Sequence, residues 1–142
     1  MIDGAEGEDE SEKGKGKITE MGRKAVLAYG LYLGRGFISP KFATDTGVTT
    51  QDRALLWEAL VNAWEQDRSA ARGSMSIRGL YVFTHDNPLG NAPAHVLFDR
   101  VRVTLDEAFK GTDRVARSFG DCDVMVDDTD LPAGITLTRI VG

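Results

Sequence analysis

The sequence has few of the residues that most often carry catalytic or metal chemistry. Its 142 residues include one cysteine and two histidines. A lone Cys122 excludes an internal disulfide and a multi-cysteine zinc site. No run of about 18 consecutive apolar residues is present, so no transmembrane helix is expected. The first residues are acidic and lack an apolar segment, so we expect no secretory signal.

Acidic residues outnumber basic ones, and they are spread unevenly. The formal net charge is −5 and the pI about 5.0, which weighs against a simple basic nucleic-acid binder. Residues 1–17 combine six acidic residues, three lysines and four glycines with few apolar side chains. Such a segment cannot bury enough apolar surface to offset the entropy of ordering. We predict a disordered acidic and Gly-Lys linker over residues 1–20.

Hydrophobic patterning beyond the linker indicates strands mixed with helices. Residues 24–33 and 76–84 are apolar on both faces, as is typical of central strands. Residues 50–67 repeat apolar side chains at helical spacing, and Thr49 with Asp52 forms a capping-box pattern. Pro93 is expected in the first turn of a short helix over 92–101, and residues 122–126 and 135–141 resemble short strands. The order predicts an α+β fold.

Three polar groupings suggest chemistry, and each has a simpler structural interpretation. His85, Asp86 and His95 could serve acid–base catalysis, but a turn and a packed helix explain them as well. The aspartates near residue 128 lack the spacing and terminal Glu of an EF-hand. No glycine loop matches a phosphate-binding motif. We therefore predict no catalytic residue, no bound metal and no cofactor.

Seven basic side chains flank the predicted strands and could reach phosphates. The alternative is an ordinary solvated surface whose arginines pair with nearby carboxylates, and spacing alone does not decide between the two. The seven are Arg23, Lys24, Arg35, Lys41, Arg68, Arg72 and Arg78.

Three segments together resemble a known family. They are GRKAVLAYGLYLGRGFISPKFATDTGVT (22–49), LWEALVNAWEQDRSAARGSMSIRGLYVFTHDNPLGNAPAHVLFDRV (56–101) and LPAGITLTRIVG (131–142). They are similar to the C-terminal half of the backbone subunit of the type I-C CRISPR Cascade complex, of the Csd-type RAMP family. The resemblance covers residues 21–142, which we expect to be the C-terminal part of an RRM-like RAMP domain.

The resemblance implies a fold and a function. The fold is a partial RRM or ferredoxin-like palm with a thumb-like insertion, the N-terminal half of the family fold being missing. The function is sequence-independent binding of CRISPR RNA in antiviral defence, without enzymatic activity. The implied partners are CRISPR RNA, target DNA through the guide, other backbone copies and other Cascade subunits. The implied location is the cytoplasm, with no membrane partner.

The resemblance also implies site residues. Met21, Arg23 and Lys24 match the motif at the end of the expected thumb, with the two cations on phosphates and Met21 against a displaced base. Arg68, Arg72 and Met75 match a helix-end motif and are expected to bind RNA or the neighbouring subunit. Asn91 and His95 match a further motif, where a structural or interface role is equally expected.

An incomplete palm is expected to leave an open sheet edge and exposed apolar surface, so that the protein needs a partner. Two alternatives to RNA binding remain open. The chain could be an interaction module that binds full-length backbone subunits and has no RNA affinity. It could also be a small hydrolase that uses His85, Asp86 and His95.

Overall fold

The computed structural model describes residues 27–68 and 73–142. Within these ranges three α-helices and four β-strands form an α+β fold, which confirms the predicted class. The helices are α1 (Pro40–Thr46), α2 (Thr50–Gln66) and α3 (Ala94–Phe98), and the strands are β1 (Leu80–His85), β2 (Val101–Leu105), β3 (Cys122–Val126) and β4 (Ile135–Val141). In this part of the chain no helix is long and apolar enough to cross a membrane.

Local capping defines the first two helices. Pro40 occupies the first turn of α1, and Gly47 ends that helix in the left-handed region with φ of 73°. At the start of α2, the Asp52 backbone N–H donates to Thr49 Oγ1 at 3.1 Å. The Thr49 backbone N–H donates in return to Asp52 Oδ2 at 2.8 Å, so the predicted capping box is confirmed.

The strands form two separate antiparallel pairs. β1 pairs with β4, with Phe83 opposite Leu137. β2 pairs with β3, with Val103 opposite Val124. In the β2–β3 pair half-buried and exposed positions largely alternate, as expected for a sheet with one covered face.

The buried apolar core of the described residues is small and lies in the second half of the chain. It consists of Leu97 on α3, Phe109 in the β2–β3 connection and Ile135 at the start of β4. Arg100 clamps the connection between β3 and β4, since its guanidinium donates to the carbonyls of Thr129 at 2.6 Å and Asp130 at 3.0 Å.

Several predicted elements are wrong in position or pairing. The described part of the predicted strand 24–33, from Leu27 onwards, has no strand structure. An apolar run becomes a strand only where a second strand supplies hydrogen bonds, and none does so here. The second predicted central strand is β1, which pairs with β4 alone among the described residues. Strand β2 was not predicted, because its five residues carry a weak pattern of their own.

Two helix ends also differ from expectation. Helix α2 ends at Gln66 with Asp67 as its C-cap, one residue before the expected end at 67. Pro93 is the N-cap of α3 and not a residue of its first turn. Both differences are small shifts of a boundary, and the helices themselves are present.

Candidate nucleic-acid interface

Two stretches of the sequence are free of acidic residues. Residues 21–44 and 68–85 contain none of the 22 Asp and Glu residues but seven of the 17 Lys and Arg residues. The rest of the chain is strongly acidic, because it holds all 22 acidic residues and only the remaining basic ones. The two stretches are therefore basic although the chain as a whole is acidic, and a polyanion would be attracted to them.

The structure brings these two stretches together near the start of β3. The phenol of Tyr29, from the first stretch, lies near the Cys122 thiol, with the Arg78 guanidinium of the second stretch and the Asp121 carboxylate in the same neighbourhood. Partial burial, followed by the Cys122 thiol, raises the pKa of Tyr29 above its ordinary value. The guanidinium of Arg78 lies 5.0 Å from the centroid of the Phe119 ring. Sequence-distant cations and aromatic rings thus share one region.

Further along the first stretch, Arg35 and Phe37 both contact the ring of Phe98. The guanidinium carbon of Arg35 lies 5.5 Å from the centroid of the Phe98 ring at the end of α3. The Phe37 ring meets the same ring edge to face, with centroids 5.2 Å apart. A guanidinium held on an aromatic face keeps N–H donors available to a phosphate. This arrangement can position an anionic backbone beside exposed rings.

The site residues implied by the family resemblance are only partly described. Met21, Arg23, Lys24 and Arg72 lie outside the described residues. Arg68 is exposed just after α2, where its Nε donates to the backbone carbonyl of Glu65 at 3.3 Å. Met75 is half-buried in an irregular segment before β1. The described contacts of Arg68 and Met75 do not test their predicted role in RNA binding, which stays a prediction.

Asn91 fixes the turn that follows β1. Its backbone N–H donates to His85 Nδ1 at 2.8 Å, and its side-chain amide donates to Asp86 Oδ1 at 2.6 Å. Gly134 lies directly against this pair, with φ of 79°, and an added Cβ would lie 2.7 Å from Asp86 Oδ2. Such a network gives Asn91 a structural part in the turn.

His95 lies apart from that network, exposed on the short helix α3. Over the described ranges, no hydrogen bond links it to His85 or Asp86, whose side chains are engaged by Asn91. The described hydrogen bonds therefore do not join the three residues of the hydrolase hypothesis into one group.

The aspartates before β4 are engaged by neighbouring side chains. Hydrogen bonds from Thr129, its hydroxyl first, lower the pKa of Asp127, and Asp128 accepts from Arg139 at 2.8 Å. Among the residues that the structure describes, no group of three or more His, Cys, Asp or Glu side chains is arranged to hold a metal ion.

Sequence reasoning named Arg35 and Arg78 among basic side chains but missed their aromatic partners. Phe98 and Phe119 lie more than 40 residues from the arginines that cover them, so local patterns gave no hint of these contacts. The absence of acidic residues over 21–44 and 68–85 was the signal available in the sequence.

The α+β fold and the two basic, acid-free stretches have the chemistry of a protein that can bind a polyanion. A comparison with protein families then places the chain: the sequence model of CRISPR-associated protein Cas7 matches residues 3–127. The chain belongs to this family of CRISPR-associated backbone proteins. None of the curated proteins compared with the chain matches it.

Proposed function

We propose that the chain is a guide-RNA-binding backbone subunit of a type I-C Cascade complex. In this proposal it binds CRISPR RNA through its sugar-phosphate backbone and assembles with other backbone copies and other Cascade subunits. The guide, and not this protein, reads the target DNA. The protein has no catalytic step of its own and acts in the cytoplasm in antiviral defence.

The observation that carries the proposal is the charge segregation. Seven Lys and Arg residues occupy the two acid-free stretches, and Tyr29 and Arg78 bring the described parts of those stretches together. Phosphate contacts of this kind supply affinity without sequence information. Membership of the family of CRISPR-associated protein Cas7 supports the same assignment.

The test is fluorescence anisotropy of a labelled, unstructured RNA across a salt series. Variants are Arg23→Ala/Lys24→Ala, which examines the family-implied site, and Arg35→Gln/Arg78→Gln, which examines the described face. Each lost phosphate contact should flatten the slope of log affinity against log salt by about 0.7 for single-stranded RNA.

A matched control is Lys110→Gln, because Lys110 is an exposed cation outside both acid-free stretches and pairs with Glu107. It should leave the salt slope unchanged. If folded wild-type protein binds no RNA at low salt, the proposal fails. Equal losses in the control and in the Arg35→Gln/Arg78→Gln variant would show a general charge effect and no defined face.

A second candidate is an interaction module that binds full-length backbone subunits without RNA affinity. The observation that favours it is helix α2, none of whose residues is buried; Leu55 is 63% exposed and Trp64 42%. Apolar side chains left in water are typical of a surface that meets a partner. Co-purification with full-length backbone subunits, without RNA binding by the chain alone, would favour this candidate.

A further inference from the structure

The most exposed aromatic rings of the described chain all lie in the first acid-free stretch. Tyr32 is 82% exposed, Phe37 76% and Phe42 70%. The next aromatic side chain, Trp64, is 42% exposed. Water-exposed rings of this size are costly unless they serve a contact.

Basic side chains alternate with these rings along the chain. Arg35 lies between Tyr32 and Phe37, and Lys41, which is ion-paired with Asp45 at 3.4 Å, directly precedes Phe42. No carboxylate occurs in this stretch before Asp45. Interleaved cations and aromatic rings are the combination by which proteins hold single strands, with phosphates on the cations and bases on the rings.

Contacts with Phe98 and Gly30 position the rings of Phe37 and Tyr32 before any ligand binds. Phe37 packs edge to face on Phe98, at 5.2 Å between centroids. The Tyr32 ring lies over Gly30, where an added Cβ would be 3.1 Å from the Tyr32 Cε2 atom. Preorganised rings lose less entropy when a base stacks on them.

We infer that Tyr32, Phe37 and Phe42 form a stacking platform for the unpaired bases of single-stranded RNA, with Arg35 contacting the adjacent phosphates. The inference rests on the proposed function and adds a contact that electrostatics alone does not supply. RNA is favoured over a protein occupant because the stretch lacks acidic residues and a strand offers a π-face at every base. Stacking of this kind reads no sequence.

The test is a cycle that removes either the rings or the bases. Oligoadenylate and the same strand with abasic ribose at every position carry equal backbone charge. Wild-type protein should bind the base-containing strand at least about fivefold more tightly for each ring engaged. Tyr32→Leu/Phe37→Leu should lose most of that preference and keep its salt slope, since leucine retains apolar volume against Phe98 but has no π-face.

Tyr32→Trp/Phe37→Trp should restore the preference, and its tryptophan fluorescence should be quenched by oligoadenylate but not by the abasic strand. Leu89→Ala is the matched control, because Leu89 is 96% exposed and lies outside the stretch. Circular dichroism verifies that each variant folds.

Four outcomes would overturn the inference. In the first, wild-type protein binds both strands equally, so the proposed function survives without the platform. In the second, the leucine variant keeps the full preference. In the third, the leucine variant changes only the oligomeric mass, which would assign the rings to a protein contact. In the fourth, wild-type protein binds neither strand, and the proposed function fails as well.

Discussion

The two parts of the described chain are stabilised in different ways. Residues 27–66 contain no buried side chain, and the side-chain hydrogen bonds of helices α1 and α2 span at most four residues, as in the Thr49–Asp52 cap. Residues 73–142 contain the buried core and bonds that join distant positions, as from Arg100 to Asp130. The helices of the first part are organised locally, whereas the second part, which also packs Phe98 against Arg35 and Phe37, is organised by tertiary contacts.

The difference teaches where each part obtains its stability. Helix α2 has a complete capping box but exposes apolar side chains such as Leu55 and Leu56. Isolated helices of this length are marginal in water, so α2 gains most from a packing partner. Substitutions made in one part at a time test this difference in the source of stability.

The largest expected effect is that of Gly134→Ala in the second part. The backbone at Gly134 has φ of 79°, and a Cβ would collide with the Asp86 carboxylate and the Asn91 amide. Backbone strain together with the displaced hydrogen bond should lower the free energy of unfolding by about 3 kcal/mol. Urea denaturation of the variant and the wild-type protein measures this change in the free energy of unfolding.

Gly36→Ala is the control for Gly134→Ala, because a Cβ there meets nothing within 4 Å. It should change stability by less than about 0.5 kcal/mol. Equal effects at both glycines would show that the turn after β1 does not depend on the close approach of Gly134.

Arg100→Leu should have the next largest effect. The Arg100 side chain is 15% exposed and donates to the carbonyls of Thr129 and Asp130. Loss of these bonds should cost about 2 kcal/mol. Arg139→Leu is the matched control, because its ion pair with Asp128 is exposed and contributes about 0–1 kcal/mol. Thermal unfolding of both variants decides whether Arg100 acts as a clamp.

Thr49→Ala addresses the first part and should have a smaller effect. Loss of the Thr49 hydroxyl removes the acceptor for the Asp52 N–H and should cost about 1 kcal/mol of helix stability. Helix content by circular dichroism should fall while the unfolding midpoint of the strand pairs stays unchanged. A shift of both signals together would show that α2 and the strand pairs unfold as one unit.

The smallest expected effect is that of acid. Hydrogen bonds lower the pKa of Asp52 (from Thr49, its hydroxyl first), Asp121 (from the Arg117 backbone first) and Asp127 (from the Thr129 hydroxyl first). A pKa below the unfolded value of about 3.9 means that the stabilisation is present above that pH and is lost as pH falls through the folded pKa.

Stability should therefore be nearly constant from neutral pH to about 5 and decline below about 4. Asp52→Asn should weaken the acid response of helix content while leaving that of the strand pairs intact. A stability that rises on acidification would contradict the assignment of these hydrogen bonds to the carboxylate forms.

Local features of the fold were predictable, and features that depend on distant residues were not. The Thr49–Asp52 cap follows from two side chains three positions apart. The expected strand at 24–33 is wrong from Leu27 onwards, because an apolar run does not reveal whether a pairing strand is present. Strand β2 was not predicted, because its formation depends on pairing with β3.

The candidate site was likewise predictable only in its local features. The sequence supplied the cations and the resemblance to CRISPR-associated backbone subunits, and the match to CRISPR-associated protein Cas7 confirms the broader family. The contacts of Arg35 and Phe37 with Phe98 join residues about 60 positions apart. No pattern in a single sequence specifies such a contact, because it depends on the path of the whole chain.

The sequence by itself determined the α+β class, the capped helix α2, the strands β3 and β4, and the separation of positive from negative charge. These follow from composition and from interactions between near neighbours. Only the tertiary structure decided that Tyr29 lies near Arg78, that Asn91 secures the turn after β1, and that Tyr32 and Phe37 remain exposed. The physical reason is that burial and long-range contact depend on which distant segments meet, whereas capping and charge depend on local order.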